Sequence, residues 1–373
     1  MQIGIDVDFL PRDRRGMGRY VRNVLRAWLA RRPEHDYVLL CRTSDDEPEI
    51  RRALDGLGLA AAGKLVRAVP QLKAHLTDVC WYPWNRLDPP LKGRLNAVTV
   101  HDVAPFVFPQ RGLLRRLDQA ADGRRLHRSA RMADLVFTDS EFSRREVSRY
   151  LGVPEHKTAA VHMGVDPTFR SLPPGAKDEV LLARLGVTRG FVLFAGADDE
   201  RRNLGRLLQA FRLAKESFDT HHKLVVCGTP TEVLCTYEDS VQDVVAVGIA
   251  GDEELAILYR RATAFVFPSL YEGFGLPVLE AMASGAPVLC SRAAALPEIA
   301  GDAALYCDPY DVDDIARHLS LLLAHGDLRR QLSQRGLQRA KPFTWAATAS
   351  AILAGLEDLV EGRQAAPRSP HAN

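Results

Sequence analysis

No stretch of the chain approaches the ~18 uninterrupted apolar residues that a membrane-spanning helix requires. Cysteine is scarce: six in 373 residues (Cys41, Cys80, Cys227, Cys235, Cys290 and Cys307), far apart and without a Cys-x-x-Cys pair. That spacing excludes a disulfide scaffold and offers no zinc-ligand pattern, so the thiols are read as reduced. Neither sign of charge dominates: 49 Lys+Arg stand against 47 Asp+Glu, a net +2. Nothing in that balance points to nucleic acid as a partner. No basic segment leading into an apolar one precedes Ile3–Val7, so no secretory signal is read and a cytoplasmic location is expected.

What is present is an ordinary globular composition, 46% hydrophobic and 26% charged, which excludes a disordered or collagen-like chain. At ~150 residues per domain the length suggests two domains. Their charges differ: residues 1–170 carry a net +8 and residues 171–373 a net −6. A basic half invites contact with an anionic partner or membrane surface; an ordinary solvated face is the plainer alternative.

Short apolar runs alternate with amphipathic segments. Ile3–Val7, Val38–Cys41, Val79–Trp81, Ala97–Val100 and Leu135–Thr138 read as strands. Gly18–Arg31 places Val21, Val24, Leu25, Trp28 and Leu29 on one helical face. Leu113–Ala130 and Glu141–Tyr150 read as further helices. Ser171-Leu172-Pro173-Pro174-Gly175 has linker composition. A second alternation follows, with strands at Phe191–Ala195, Leu224–Cys227, Val244–Val247, Ala264–Phe267, Pro287–Leu289 and Ala304–Tyr306, then helices near 312–324, 327–340 and 344–360. Alternation of this kind predicts an α/β protein with two doubly wound parallel sheets. Two such domains would leave a cleft, and ligands of open sheets sit beyond the carboxyl ends of the strands.

Four strand ends carry chemistry. After Ala264–Phe267 come Pro268-Ser269-Leu270-Tyr271-Glu272-Gly273-Phe274-Gly275-Leu276-Pro277 and then a helix containing Glu280. Pro277 suits a helix start, and Gly273 and Gly275 let the backbone approach a ligand. The free amides there favour a diphosphate. Glu272 and Glu280 are expected to face one small volume and to suit a sugar diol. After Phe191–Ala195 come Gly196, Ala197, Asp198, Asp199, Glu200, Arg201, Arg202 and Asn203. The two guanidinium groups could clamp a diphosphate, or pair with their acidic neighbours. At the amino end, Gly16 and Gly18 precede the first helix and could approach a phosphate, though a lone Gly-x-Gly is more often a turn. Asp6 and Asp8 match a three-residue metal pattern that is common by chance. His101-Asp102 ends the strand Ala97–Val100 and is placed to meet substrate. Trp81, Tyr82 and Trp84 could form a sugar platform or lie in the core.

Together these residues resemble the retaining nucleotide-sugar glycosyltransferases of family 4, with the two-domain GT-B fold, in the bacterial mannosyltransferase-like branch that builds surface polysaccharide. Glu272 to Glu280 matches the family's E-x7-E element; Asp139-Ser140-Glu141-Phe142-Ser143, Gly164-Val165-Asp166 and Leu296-Pro297-Glu298 support it. The resemblance implies an acceptor-side domain at 1–168, a linker at 169–190, a nucleotide-sugar domain at 191–342, a helix at 343–362 that packs back on the first domain, and a disordered tail at 363–373.

It implies catalytic roles for Glu272, Arg201, Arg202 and His101, with Glu280 on the ribose. Gly273, Phe274, Gly275 and Leu276 would touch the sugar or diphosphate. Gly16, Gly18 and Gly196 would lie by the donor phosphates, and Ser140 and Asp102 on the acceptor side. It departs from the family at Ala197 and at Arg202, where a Lys is common, a substitution that is not neutral at a phosphate. The expected reaction moves a hexose, best mannose from GDP-mannose rather than a UDP-linked sugar, to a cell-surface glycan or glycolipid. No further cofactor and no metal are expected. The alternatives are an epimerase or phosphorylase of the same fold, or a nucleotide-sugar-binding module without turnover. The arginines of the 111–131 region, interrupted by Asp118 and Asp122, would touch the inner membrane face if the acceptor is lipid-linked.

Overall fold

The computed structural model describes residues 1–13, 16–32, 34–41, 47–55, 66–70, 77–87, 94–108, 113–187, 190–197, 199–217, 221–234 and 243–362. The expected tail at 363–373 lies outside the described residues, as do Asp198, Cys235, Arg111 and the side chain of Arg115. The chain forms two compact units: Met1–Gly164 with the returning segment Phe343–Asn373, and Val165–Pro342.

In the first unit seven strands form one sheet: β1 (Gln2–Asp6), β2 (Asp36–Cys41), β3 (Val66–Pro70), β4 (Val79–Tyr82), β5 (Leu95–Val100), β6 (Leu135–Thr138) and β7 (Thr158–Ala160). Their order is β3-β2-β1-β4-β5-β6-β7, and every pairing is parallel. The second unit holds β8 (Phe191–Ala195), β9 (Lys223–Cys227), β10 (Val244–Gly248), β11 (Ala264–Phe267), β12 (Val288–Ser291) and β13 (Ala304–Cys307). Their order is β10-β9-β8-β11-β12-β13, again all parallel. Strands covered by helices on both faces bury every residue, which is why β8 and β11 read as unbroken apolar runs. In each sheet the order reverses at one place, between β1 and β4 and between β8 and β11, and crevices open at such switch points.

The first unit's core joins the first strand and helix to the returning helix. Helix Trp345–Val360 buries Trp345, Ile352, Leu353 and Leu356 in the cluster that holds Val21, Val24, Leu25 and Trp28 of helix Met17–Arg31. The Trp28 indole N–H donates to the Ala349 carbonyl at 2.7 Å, which satisfies the buried polar atom and pins the returning helix. Trp81, Tyr82 and Trp84 are buried. Trp81 donates to Thr99 Oγ1 and Trp84 to the Asp6 carbonyl, so these rings are core residues and form no sugar platform.

The expected boundaries need correction. The first unit ends at Gly164 rather than at 168. The expected linker at 169–190 contains helix Ala176–Arg184, which belongs to the second unit. That helix buries Leu181 and Leu182 and pairs Asp178 with Arg260, Glu179 with Arg261, Arg184 with Glu254 and Lys177 with Glu253 of helix Asp252–Arg261. The edge strands β3 and β7 were not expected from sequence.

Candidate functional site

The second unit's switch point joins the loops after β8 and β11. After β8 the chain makes a 3-10 turn at Glu200–Arg202, and Asn203 takes a left-handed conformation (φ +62°) before helix Leu204–Ser217. Asn203 is buried, and its amide donates to the carbonyls of Pro268 (3.0 Å) and Pro309 (2.7 Å). The Leu270 N–H donates to the Arg201 carbonyl at 2.7 Å. The two loops are thereby stitched by backbone and side-chain bonds.

Arg202 reaches across that seam. Its Nη1 lies 2.7 Å from Glu272 Oε1, and its guanidinium lies 5.1 Å from the Phe267 ring centroid. Ion pair and ring together fix a planar cation in one orientation. Arg201 behaves differently: its guanidinium meets the Asp199 carboxylate at 2.8 Å. Of the two expected alternatives, Arg201 thus shows the pairing with an acidic neighbour, and Asp199 also accepts from the Arg201 N–H to cap the turn. Burial alone would raise the Asp199 pKa, but the hydrogen bonds and charge of Arg201 override it and the net shift is downward.

Glu272 (8% exposed) and Glu280 (4% exposed) are both buried carboxylates, a rare condition that needs partners. Glu272 Oε1 also accepts from Ser269 Oγ at 2.8 Å. Glu280, on helix Leu276–Ser284, accepts from the Tyr259 hydroxyl at 3.3 Å. Gly275 caps that helix at φ +102°, and a Cβ there would stand 2.5 Å from Leu296 Cδ2. Only glycine satisfies both conditions. Gly273 and Phe274 are buried beside it, Leu276 is the first helical residue, and Pro277 stands in the first turn, one position later than expected. Gly196 ends β8's run with a Cβ position 3.2 Å from the Phe194 ring and 3.4 Å from Arg202 Cδ.

The first unit's switch point is arranged otherwise. His101 follows β5, and its Nδ1 lies 2.6 Å from Asp139 Oδ2 while Nε2 lies 3.0 Å from the Pro83 carbonyl. A carbonyl only accepts, so Nε2 carries a proton and the ring is held at both nitrogens. The ring expected to contact a sugar is thus engaged at both nitrogens within the chain. Burial alone would lower the His101 pKa, but the Asp139 carboxylate overrides it and the net shift is upward. Burial also raises Asp139, against the pull of His101. Tyr20 packs edge-on to the imidazole at 5.0 Å.

The remaining expected residues have local roles. Asp102 accepts from the Ala104 N–H at the start of helix Ala104–Val107. Ser140 is fully buried and caps helix Glu141–Leu151 by accepting from the Ser143 N–H. Gly16 has φ +57° before helix Met17–Arg31. Gly18 donates its N–H to Asp13 Oδ2 at 3.1 Å, and a Cβ there would stand 1.7 Å from the Asp13 carbonyl oxygen. A carboxylate of the chain itself therefore occupies an amide expected to meet a phosphate. Asp6 Oδ1 accepts from the Asp8 N–H, and Asp8 meets Arg86 at 3.5 Å. Among the described residues no group of three His, Cys, Asp or Glu side chains could hold a metal ion, and no helix is long and apolar enough to cross a membrane.

Sequence reasoning assigned no role to Asn203, Ser269, Tyr259 or, apart from a motif match, Asp139. Asn203 alone had a local signal: an asparagine directly after two arginines and before an apolar helical run. On the outer face of helix Leu113–Met132, Arg116, Arg124, Arg125, Arg128 and Arg131 are exposed beside Leu117 (58%) and Met132 (43%).

Two family models match, Glycosyltransferase Family 4 over residues 14–169 and Glycosyl transferases group 1 over residues 184–339. The chain is 34% identical over 259 residues to the O-antigen chain mannosyltransferase B of Escherichia coli, covering 66% of each chain. It is 29% identical over 241 residues to the serotype-specific mannosyltransferase WbdA of Escherichia coli, covering 62% of this chain and 30% of that one. The matched region thus spans less than two thirds of either relative's own length. In fold it is similar to Anabaena Alr3699/HepE in complex with UDP-glucose, with a TM-score of 0.73 at 16% identity over 96% of this chain and all of that one.

Proposed function

The chain belongs to the family 4 glycosyltransferases, with the two-domain α/β GT-B fold, and from that premise we propose that it transfers mannose from GDP-mannose to a hydroxyl of a growing cell-surface glycan, with retention at the anomeric carbon. The observation that carries the reading is the Arg202–Glu272 pair across the second switch point, with Glu280 one turn into the helix behind it. The mannosyltransferase relatives favour mannose as the sugar.

In this reading Glu280 accepts the ribose hydroxyls and Glu272 the sugar hydroxyls. Arg202 and the first-turn amides from Gly275 onward meet the charge that grows on the diphosphate as the sugar–oxygen bond breaks. A preorganised donor of this kind is worth ~3 kcal/mol of barrier. Arg202 has five N–H donors in a fixed fork, so it can keep Glu272 and still present a donor to phosphate, which a lysine would do only as a point charge. No carboxylate stands out as a nucleophile; the acceptor hydroxyl attacks from the face the leaving group quits, and a diphosphate oxygen takes its proton. Arg202 and those amides supply the neutralisation that a metal gives elsewhere. The exposed arginines and apolar side chains of helix Leu113–Met132 support docking on an anionic inner membrane face where the acceptor is lipid-linked.

The test is incubation with GDP-mannose, UDP-glucose and UDP-galactose, with and without glycan acceptor, followed by NMR of the product anomer. The reading expects GDP-mannose to be consumed and an α-mannoside formed. Consumption of a UDP-sugar alone would replace the donor assignment, an inverted product would remove the same-face step, and binding without any hydrolysis would favour a non-catalytic module.

A further inference from the structure

The second switch point contains a buried hydroxyl that the chemistry above does not use. Ser269 is the second residue after β11 and is fully buried. Its Oγ lies 2.8 Å from Glu272 Oε1, 2.8 Å from the Arg201 carbonyl oxygen and 3.3 Å from the Tyr271 carbonyl oxygen. All three are acceptors, and a serine hydroxyl has one proton to give. An ionised carboxylate is the strongest acceptor of the three. The contact falls on the same oxygen that Arg202 Nη1 meets. From the other side the Ser291 hydroxyl, at the end of β12, donates to the Ser269 carbonyl. Ser269 therefore stands between a strand end, the arginine turn and the Glu272 carboxylate.

We propose that Ser269 is a positioning residue: it holds Glu272 Oε1 where Arg202 meets it, and so sets the orientation of the carboxylate toward the donor sugar. A glutamate in a loop has three rotatable side-chain bonds, and its carboxylate reaches one orientation only if something on each side fixes it. Arg202 supplies the charge and Ser269 the direction. The inference rests on the reading that Glu272 serves the donor sugar, and the test separates the two.

The experiment uses the full chain, GDP-mannose hydrolysis without acceptor, and calorimetric binding of GDP alone. GDP lacks the sugar, so a fault in Glu272 alignment leaves its affinity untouched. Ser269→Ala is expected to lower kcat about tenfold, the effect of a lost hydrogen bond to a charged group, with GDP affinity kept within about twofold. Wild-type kcat in Ser269→Ala overturns the proposal. So does a loss that GDP affinity shares in full, because that pattern marks a general structural role. Glu272→Gln is the companion variant. If it is slow while Ser269→Ala is normal, only the positioning role fails; if Glu272→Gln itself turns over normally, the role of Glu272 fails and takes this inference with it.

Discussion

The first six strands of each unit follow the same order, with a seventh at the edge of the first sheet, yet the two switch points are built differently. In the first, His101 is held at both ring nitrogens by Asp139 and Pro83, and the Gly18 amide is taken by Asp13. In the second, a guanidinium and a carboxylate from different loops meet over an aromatic ring, with a second buried carboxylate in the adjoining helix. One site pairs an imidazole with a carboxylate; the other pairs a guanidinium with a carboxylate. Topology places a crevice in each sheet, and the side-chain pairing decides what that crevice can do. The titrating groups diverge as well: His101 and Asp139 are both shifted upward, whereas Asp199 is shifted downward.

The sharpest way to break the comparison is to remove one member of the first pair. Asp139→Ala leaves the His101 Nδ1 buried without its partner and should cost about 1–3 kcal/mol in denaturant unfolding. A loss below about 1 kcal/mol would show that the pair is not what holds the first switch point together. The matching change in the second unit should act on rate as well as on stability. Arg202→Ala is expected to lower turnover about a hundredfold and, because it leaves buried Glu272 without its counter-charge, to lower the unfolding midpoint as well; full activity in that variant would remove Arg202 from the reaction.

Next in size is the response to pH. His101 and Asp139 bind protons more tightly folded than unfolded, so their contribution is complete below the ordinary values and is lost as pH rises through the raised ones, by at most about 1.4 kcal/mol per pH unit for each proton. Asp199 has the opposite sign: its contribution is present above the ordinary carboxylate range and is lost as pH falls through its lowered value. Peptide-resolved hydrogen exchange should therefore find the first unit weakening as pH rises above the ordinary values of these two groups and the β8 turn weakening as pH falls below the ordinary carboxylate range. Equal slopes in both would erase the contrast. Smallest is Arg184→Ala, which breaks an exposed pair with Glu254 and should cost about 0.5 kcal/mol by thermal unfolding. A loss above about 2 kcal/mol would mean that the helix at 176–184 depends on that pair rather than on buried Leu181 and Leu182.

The sheets were legible because strands buried on both faces must be largely apolar: Phe191–Ala195 and Ala264–Phe267 are so throughout, and Leu135–Thr138 but for its last residue. Edge strand β7 is Thr-Ala-Ala, with no apolar bulk to mark it. The helix Ala176–Arg184 was hidden by the prolines before it, and the partners of its charged residues lie some 70–80 positions away. Glu272, Glu280 and Gly275 could be read from one loop because their roles depend on local spacing. Arg201 and Arg202 could not be told apart: identical neighbours diverge only because the 3-10 turn aims one at Asp199 and the other at Glu272. The Asp139 partner of His101 lies 38 residues further on, and no local pattern links the two.

A crystal structure with GDP-mannose bound tests the central claim most directly. The account predicts the diphosphate on Arg202 and the amides of the Gly275–Leu276 turn, the ribose on Glu280, and the hexose against Glu272. A nucleotide sugar held away from the β8 and β11 loops, or bound there with both glutamates making no contact to it, would contradict the account.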